Sequence, residues 1–146
     1  MTHIRRLAIA GAWGYIGRKF VEAGLDLDLE VSVLDPGPAP ADVPLARLHQ
    51  YSDDSFYAQP ADLFHLALHP EHRGAALQLL LQRAVTEPLA ILNEKPMATP
   101  ERPQDCTSLI DAVAGTQALL LFDFPELFDP LTTRVIEALQ RFEHVD

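Results

Sequence analysis

Leu7-Ala8-Ile9-Ala10-Gly11-Ala12-Trp13-Gly14-Tyr15-Ile16-Gly17 is the stretch whose reading decides the fold. A short apolar run leads directly into three spaced glycines. Beyond them, Ile16, Phe20 and Val21 fall at helical spacing ahead of Gly24-Leu25. Strand, glycine turn and helix in immediate succession open a βαβ unit of the kind that holds a nucleotide. The residue types suit that chemistry. Free backbone N–H groups and the positive end of the helix dipole favour a pyrophosphate at a helix N-terminus. Glycine lets backbone and phosphate, or helix and strand, come close without an intervening Cβ. The spacing here is G-x-x-G-x-x-G, wider than the common G-x-G-x-x-G. A glycine turn without any ligand is the competing reading of these residues alone.

The next landmark favours the nucleotide. Glu30-Val31-Ser32-Val33-Leu34 reads as a second strand ending at Asp35, about 20 residues beyond the glycine loop. A carboxylate there can accept both ribose hydroxyls of an adenosine and would repel a 2′-phosphate. Loop and acid together point to NAD rather than NADP.

Composition sets the outer bounds. With 146 residues, 48% of them apolar, the chain is long enough for one domain with a real core. Its 21 acidic residues against 11 basic ones give a formal charge of −10. That surface disfavours nucleic acid and anionic membranes as partners. A single cysteine, Cys106, excludes an intramolecular disulfide and fits a reducing, cytoplasmic setting. No apolar run has the length of a membrane span. No residues are assigned as metal ligands.

Further along, Pro36 to Pro44 holds four prolines and cannot form a helix or a central strand. Leu45 to Tyr51 reads as a short third strand, and Ser52 to Tyr57 as a capped helical turn. Asp62 to Leu68 reads as a buried strand ending in His69-Pro70, followed by a helix from Glu71 to Ala84. Leu89 to Leu92 is a strand that delivers Asn93-Glu94-Lys95-Pro96. Thr99-Pro100 marks the start of a helix running to Ala114. Ala118 to Phe122 is the last strand, and Asp129-Pro130 opens a last helix with Leu131, Val135, Leu139 and Phe142 along one face. Strands alternating with helices predict an α/β fold, a Rossmann-like doubly wound parallel sheet in three α/β/α layers. Ligands of such sheets bind beyond the carboxyl ends of the strands. Gly11 to Gly17, Asp35, His69, Pro70, Glu94 and Lys95 are therefore expected on one rim.

This order of landmarks resembles the N-terminal domain of the glucose–fructose oxidoreductase/inositol dehydrogenase (Gfo/Idh/MocA) family. The shared features are a glycine loop, an acid ending the second strand, X-Pro after a middle strand and Glu94-Lys95-Pro96 after the next. The resemblance implies a nicotinamide dinucleotide and hydride transfer at a hydroxyl-bearing carbon of a sugar, cyclitol or related polyol. It also implies that Lys95 lies between nicotinamide and substrate, where an ammonium stabilises a developing alkoxide. Glu94 and Pro96 would position that lysine, and partial burial would lower its pKa. Cofactor contacts are expected from Gly11, Ala12, Trp13, Gly14, Tyr15, Ile16, Gly17, Asp35, His69, Pro70, Glu94 and Lys95.

The chain departs from the family where Thr-Pro-Asn is replaced by His69-Pro70-Glu71, and where Gly74 takes the place of a histidine. The connection into Glu94-Lys95-Pro96 is longer than usual and lacks its customary glycine. The family's substrate domain and its catalytic histidine have no counterpart in these residues. The expected division is a dinucleotide-binding domain over 1–125 and a terminal helix over 126–146 leading towards that absent domain. Exposed apolar surface is expected around Lys95 and the last helix, open to a second copy or a partner chain. Two other readings stay open: a stand-alone dinucleotide sensor or partner subunit, and an enzyme like dihydrodipicolinate reductase or an extended short-chain dehydrogenase. Tyr15 and Lys19 match the Tyr-x-x-x-Lys spacing of the latter but stand in the first helix, not a central one.

Overall fold

The computed structural model describes residues 3–99, 101–124 and 129–139. Six strands form one sheet: β1 (Arg6–Ala10), β2 (Glu30–Leu34), β3 (Leu48–Tyr51), β4 (Leu63–Leu66), β5 (Leu89–Glu94) and β6 (Ala118–Asp123). The order across the sheet is β3-β2-β1-β4-β5-β6, and every pairing is parallel. Four helices connect or follow the strands: α1 (Tyr15–Asp26), α2 (Pro70–Ala84), α3 (Asp105–Ala114) and α4 (Pro130–Leu139). This is the Rossmann-like α/β fold expected from the alternation of elements.

The two faces of the sheet carry separate cores. Leu7, Ile9, Val31 and Val33 pack under Val21 and Leu25 of α1. Ala8, Ala10, Phe64, Leu66 and Ile91 pack under Ala76, Leu77, Leu80 and Leu81 of α2, with Leu109 and Val113 of α3 at the edge. Alternation along each strand divides the side chains between these layers. Central strands buried on both faces must be apolar throughout, which is why β1 carried so clear a signal.

Several boundaries differ from the sequence reading. The third strand covers only Leu48–Tyr51, because Leu45–Arg47 forms a 3-10 turn ahead of it. The fourth strand is shorter, with Asp62 outside it. Asp62 accepts the Arg5 and Arg6 N–H groups at 2.9 Å and the Arg6 guanidinium at 2.8 Å, so it ties β4 to the start of β1. The fifth strand runs two residues further and ends on Glu94. The third helix begins at Asp105, not at Thr99-Pro100. Pro103 explains the delay: inside a helix begun at residue 100, its ring would clash with a carbonyl one turn earlier. The chain instead turns, with the Arg102 N–H on the Thr99 carbonyl and the Asp105 N–H on the Arg102 carbonyl. Pro100 and Phe142 lie outside the described residues, as does the expected boundary at 125–126.

Apolar side chains are left uncovered at one side of the sheet. Leu119 and Leu121 of β6 are 58% and 48% exposed, and Leu131, Val135 and Ile136 of α4 are exposed too. The apolar area expected near the last helix is therefore present.

Candidate functional site

At the carboxyl end of β1 the chain turns through Gly11, whose φ of +79° belongs to the left-handed region that glycine tolerates. A Cβ here would fall on the Ala67 carbonyl oxygen beyond β4. Gly17 is as constrained, because its Cβ would fall on the Gly11 carbonyl oxygen. Gly11 and Gly17 thus let α1 begin directly against the strand it follows. Gly14 differs. Its nearest contact for a Cβ is the Gly11 oxygen at 3.5 Å, an ordinary separation, and the residue is exposed. Space at Gly14 is set by whatever lies outside the protein.

Gly14 is also the N-cap of α1, which has no side-chain cap and no acid in its first turn. The first-turn N–H groups of Tyr15, Ile16 and Gly17 therefore have no acceptor among the described residues. Three unmet donors and the helix dipole form an anion-binding terminus. Ala12 is fully buried in the core, and Trp13 is half-buried against the α1-side cluster. The Ala12 side chain is thus a packing group. Tyr15 is 76% exposed, with the Lys19 ammonium 4.5 Å above its ring. That cation pulls the Tyr15 phenol below its ordinary pKa.

Asp35 stands at the end of β2, half-buried and next to this loop. One oxygen accepts the Trp13 N–H at 2.9 Å, and the other accepts the Gly37 N–H at 2.8 Å. Each oxygen keeps a further lone pair. The carboxylate thus holds the glycine loop in shape while remaining able to accept from a hydroxyl.

Across the central strands, His69 N-caps α2 with Pro70 as its first residue. His69 is exposed, and its Nδ1 lies 4.0 Å from a Glu71 oxygen. Glu94 ends β5, and Lys95 follows it in a turn closed by a cis Lys95-Pro96 peptide. Lys95 is exposed to solvent. The positioning of this turn also comes from an unexpected residue. Arg73 of α2, 5% exposed, donates to the carbonyl oxygens of Glu94, of Pro96 at 3.0 Å and of Lys95 at 3.4 Å.

The Glu94 side chain turns away from Lys95 towards two groups that sequence reasoning passed over. Its Oε1 lies 3.0 Å from Nε2 of His65, a fully buried side chain on β4. Asp123, its register partner on β6, is the second group. Burial and the neighbouring Asp123 carboxylate push the Glu94 carboxyl up to about 7. Burial alone lowers His65 to about 4, so the ring is neutral near pH 7. His65, Glu94 and Asp123 each offer one ligand atom, all within 4.8 Å of one another. A metal on Nε2 would leave the ring proton on Nδ1, which is buried without a partner. The network fits a neutral ring with Nε2–H donating to Glu94.

Each missed residue left a faint trace in the sequence. His65 interrupts an otherwise apolar strand. Arg73 precedes Ala76, Leu77 and Leu80 by three, four and seven positions, on the buried face of α2. Asp123 is visible only through strand register, which sequence alone does not supply.

No family model and no curated protein matches the chain. Solved structures do. UDP-N-acetylglucosamine 3-dehydrogenase GnnA from Acidithiobacillus ferrooxidans matches with a TM-score of 0.73 at 20% identity, over 94% of this chain and 44% of that one. The Bordetella bronchiseptica enzyme WbmG, in complex with NAD and UDP, matches with 0.53 at 16% identity, over 83% and 52%. The Lmo0794 protein from Listeria monocytogenes matches with 0.59 at 13% identity, over 95% and 94%. At these identities the likeness shows the fold. The chain spans less than half the length of GnnA.

Proposed function

We propose that the chain is the NAD-binding unit of an oxidoreductase that moves hydride at a hydroxyl-bearing carbon of a sugar, cyclitol or related polyol. The observation that carries this reading is the uncapped N-terminus of α1, with its donors at Tyr15, Ile16 and Gly17 beside Asp35. The pyrophosphate would take those donors, and the adenosine ribose would take the free lone pairs of Asp35. An anion site paired with a hydroxyl acceptor on the neighbouring strand is what an unphosphorylated ribose dinucleotide requires. WbmG, whose structure contains NAD and UDP, supports the reading through its fold. GnnA, a dehydrogenase of a sugar nucleotide, supports it in the same way.

When bound, the nicotinamide supplies the hydride acceptor or donor. The chain's own part is to bind, orient and hold charge. Lys95 is exposed just beyond the carboxyl end of β5, where its ammonium would stabilise negative charge on a reacting oxygen. Arg73 fixes the backbone from which Lys95 projects. His69 and Pro70 would edge the dinucleotide at the next strand. The Gfo/Idh/MocA resemblance, with Lys95 in the central role, belongs to this proposal.

Calorimetric titration tests the binding step, with NAD expected to bind more tightly than NADP. Equal or tighter binding of NADP would sink the assignment. Turnover is a separate question. Lys95 faces solvent, and orientation of the substrate accounts for roughly 7–11 kcal/mol of such a barrier. The chain alone is therefore expected to bind NAD without reducing it when offered sugars and cyclitols. Turnover abolished by Lys95→Ala would show that these residues suffice. The exposure of Lys95 also favours a second reading, a dinucleotide-binding sensor or partner subunit without chemistry. NADH production on addition of a substrate-domain partner would argue against it.

A further inference from the structure

The polar cluster at the carboxyl ends of β4, β5 and β6 has no role in the binding just proposed. His65, Glu94 and Asp123 stand on three neighbouring strands, with one nitrogen or oxygen of each within 4.8 Å of the others. Phe20 of α1 lies against the His65 ring, with centroids 3.9 Å apart. The cluster is therefore on the α1 face of the sheet, the same side as the glycine loop. Its carboxyl groups are reachable from solvent. The Glu94 side chain keeps 12% exposure, and Asp123 is half-buried. Leu121, two positions before Asp123 on the same face, is exposed, so this end of the cluster borders open surface.

Charge around the pair is unbalanced. Of the groups facing Glu94, His65 of β4 is a neutral ring, Phe20 behind it is uncharged, and Asp123 of β6 is a second acid. Arg73 of α2 and Lys95 act on Glu94 as cations. The Arg73 guanidinium is engaged with the carbonyl oxygens of the 94–96 turn, and Lys95 is exposed. They do not offset burial and the second carboxylate, which keep the Glu94 proton in place up to about 7. A further cation beside the pair would release that proton.

The ends of β5 and β6 lie two and three strand spacings from β1, about 10 and 14 Å. A dinucleotide with its adenosine at Asp35 and its pyrophosphate at α1 would extend along the rim in that direction. We propose, resting on the NAD-binding reading above, that Glu94 and Asp123 select the oxidised cofactor by setting two carboxyl groups beside the cationic nicotinamide ring of NAD⁺. The ring of NADH is uncharged and gains nothing from the pair. When NAD⁺ binds, Glu94 gives its proton to solvent and faces the ring as a carboxylate. Binding of NAD⁺ therefore weakens as pH falls below 7, whereas binding of NADH does not.

Calorimetric titration of the full chain at pH 6, 7 and 8 tests this, with NAD⁺, NADH and ADP-ribose, which lacks the ring. NAD⁺ is expected to bind about fivefold more tightly at pH 8 than at pH 6, the change produced when a neighbouring charge lowers the proton affinity of one carboxyl about tenfold. NADH and ADP-ribose are expected to change little. At pH 7, titrations in two buffers of different ionisation heat are expected to show about 0.4 of a proton more released with NAD⁺ than with NADH. His69 also faces the rim, and Asp123→Asn separates its charge from that of the carboxyl pair. This variant is expected to bind NADH as the parent does and to lose most of the NAD⁺ gain between pH 6 and 8. Parallel NAD⁺ and NADH profiles in the parent, equal proton release, or an undiminished gain in folded Asp123→Asn would each overturn the proposal while leaving NAD binding in place. Failure of all three ligands to bind would overturn both readings.

Discussion

His65 and Glu94 are joined by a 3.0 Å hydrogen bond between adjacent strands, and burial moves their proton affinities in opposite directions. Glu94, raised to about 7, holds a proton in the folded state that the unfolded chain releases above about 4.5. Its contribution to stability is full below that value and is lost as pH rises through 7. His65, lowered to about 4, behaves inversely. Its contribution is present above about 6.5 and is lost as pH falls towards 4. Between pH 4.5 and 6.5 the two slopes oppose each other.

The first prediction follows from that opposition. Removing one partner should expose the slope of the other. Glu94→Gln is expected to make stability rise between pH 4.5 and 6.5, by up to about 2–3 kcal/mol, where the parent chain is nearly flat. Urea unfolding at four or five pH values across the window measures this. Parallel profiles for parent and variant would refute it.

The glycine loop separates packing from binding. Gly17→Ala is expected to cost at least about 1–3 kcal/mol, because a Cβ there meets backbone that cannot move aside. Gly14→Val is expected to leave the melting temperature nearly unchanged while abolishing NAD binding. A Gly14→Val chain that binds NAD normally would show that no pyrophosphate lies at this turn.

Asp35 has two separable duties, loop support and the proposed recognition of ribose. Asp35→Ala removes both, and it is expected to lose about 1–3 kcal/mol of stability along with most NAD affinity. Asp35→Asn keeps an acceptor for the Trp13 N–H without the charge that repels a 2′-phosphate. It should be more stable than Asp35→Ala and should narrow the gap between NAD and NADP. Thermal melts combined with titrations of both dinucleotides test the two effects.

Arg73→Met would free three carbonyl groups in the Glu94–Pro96 turn. Leaving buried acceptors unmet is expected to lower stability by about 1–3 kcal/mol. Amide exchange at Lys95 and Met97 should quicken by more than global destabilisation explains. Exchange that rises uniformly over the chain would mean that Arg73 does not hold this turn.

The sequence disclosed whatever depends on local pattern. Leu7 to Ala10 had to be a strand because an apolar run ended in glycine, and Glu30 to Leu34 was bounded by its acid. The Asp53 cap is equally local, since its carboxylate accepts the Ser55 N–H two residues on, at 2.9 Å. Groupings made by pairing were hidden. Glu94 meets Asp123 because β5 and β6 align in one register, and a shift of one residue would place them on opposite faces. The start of α3 was misjudged for a different reason. Thr99-Pro100 carries good start signals, but Pro103 vetoes a helix begun there. Gly11 and Gly14 looked alike as letters, whereas the Ala67 backbone just beyond β4 crowds only Gly11.

The strand order also governs when the sheet can form during synthesis. β1 leaves the ribosome well before β4, yet it lies in the middle of the sheet, between β2 and β4. Until Leu63 to Leu66 has emerged, one edge of β1 has no neighbour, and Ala8 and Ala10 lack the layer formed with Phe64 and Leu66. The nascent chain therefore carries a half-paired apolar strand until β4 emerges, an edge open to wrong pairing until it is covered.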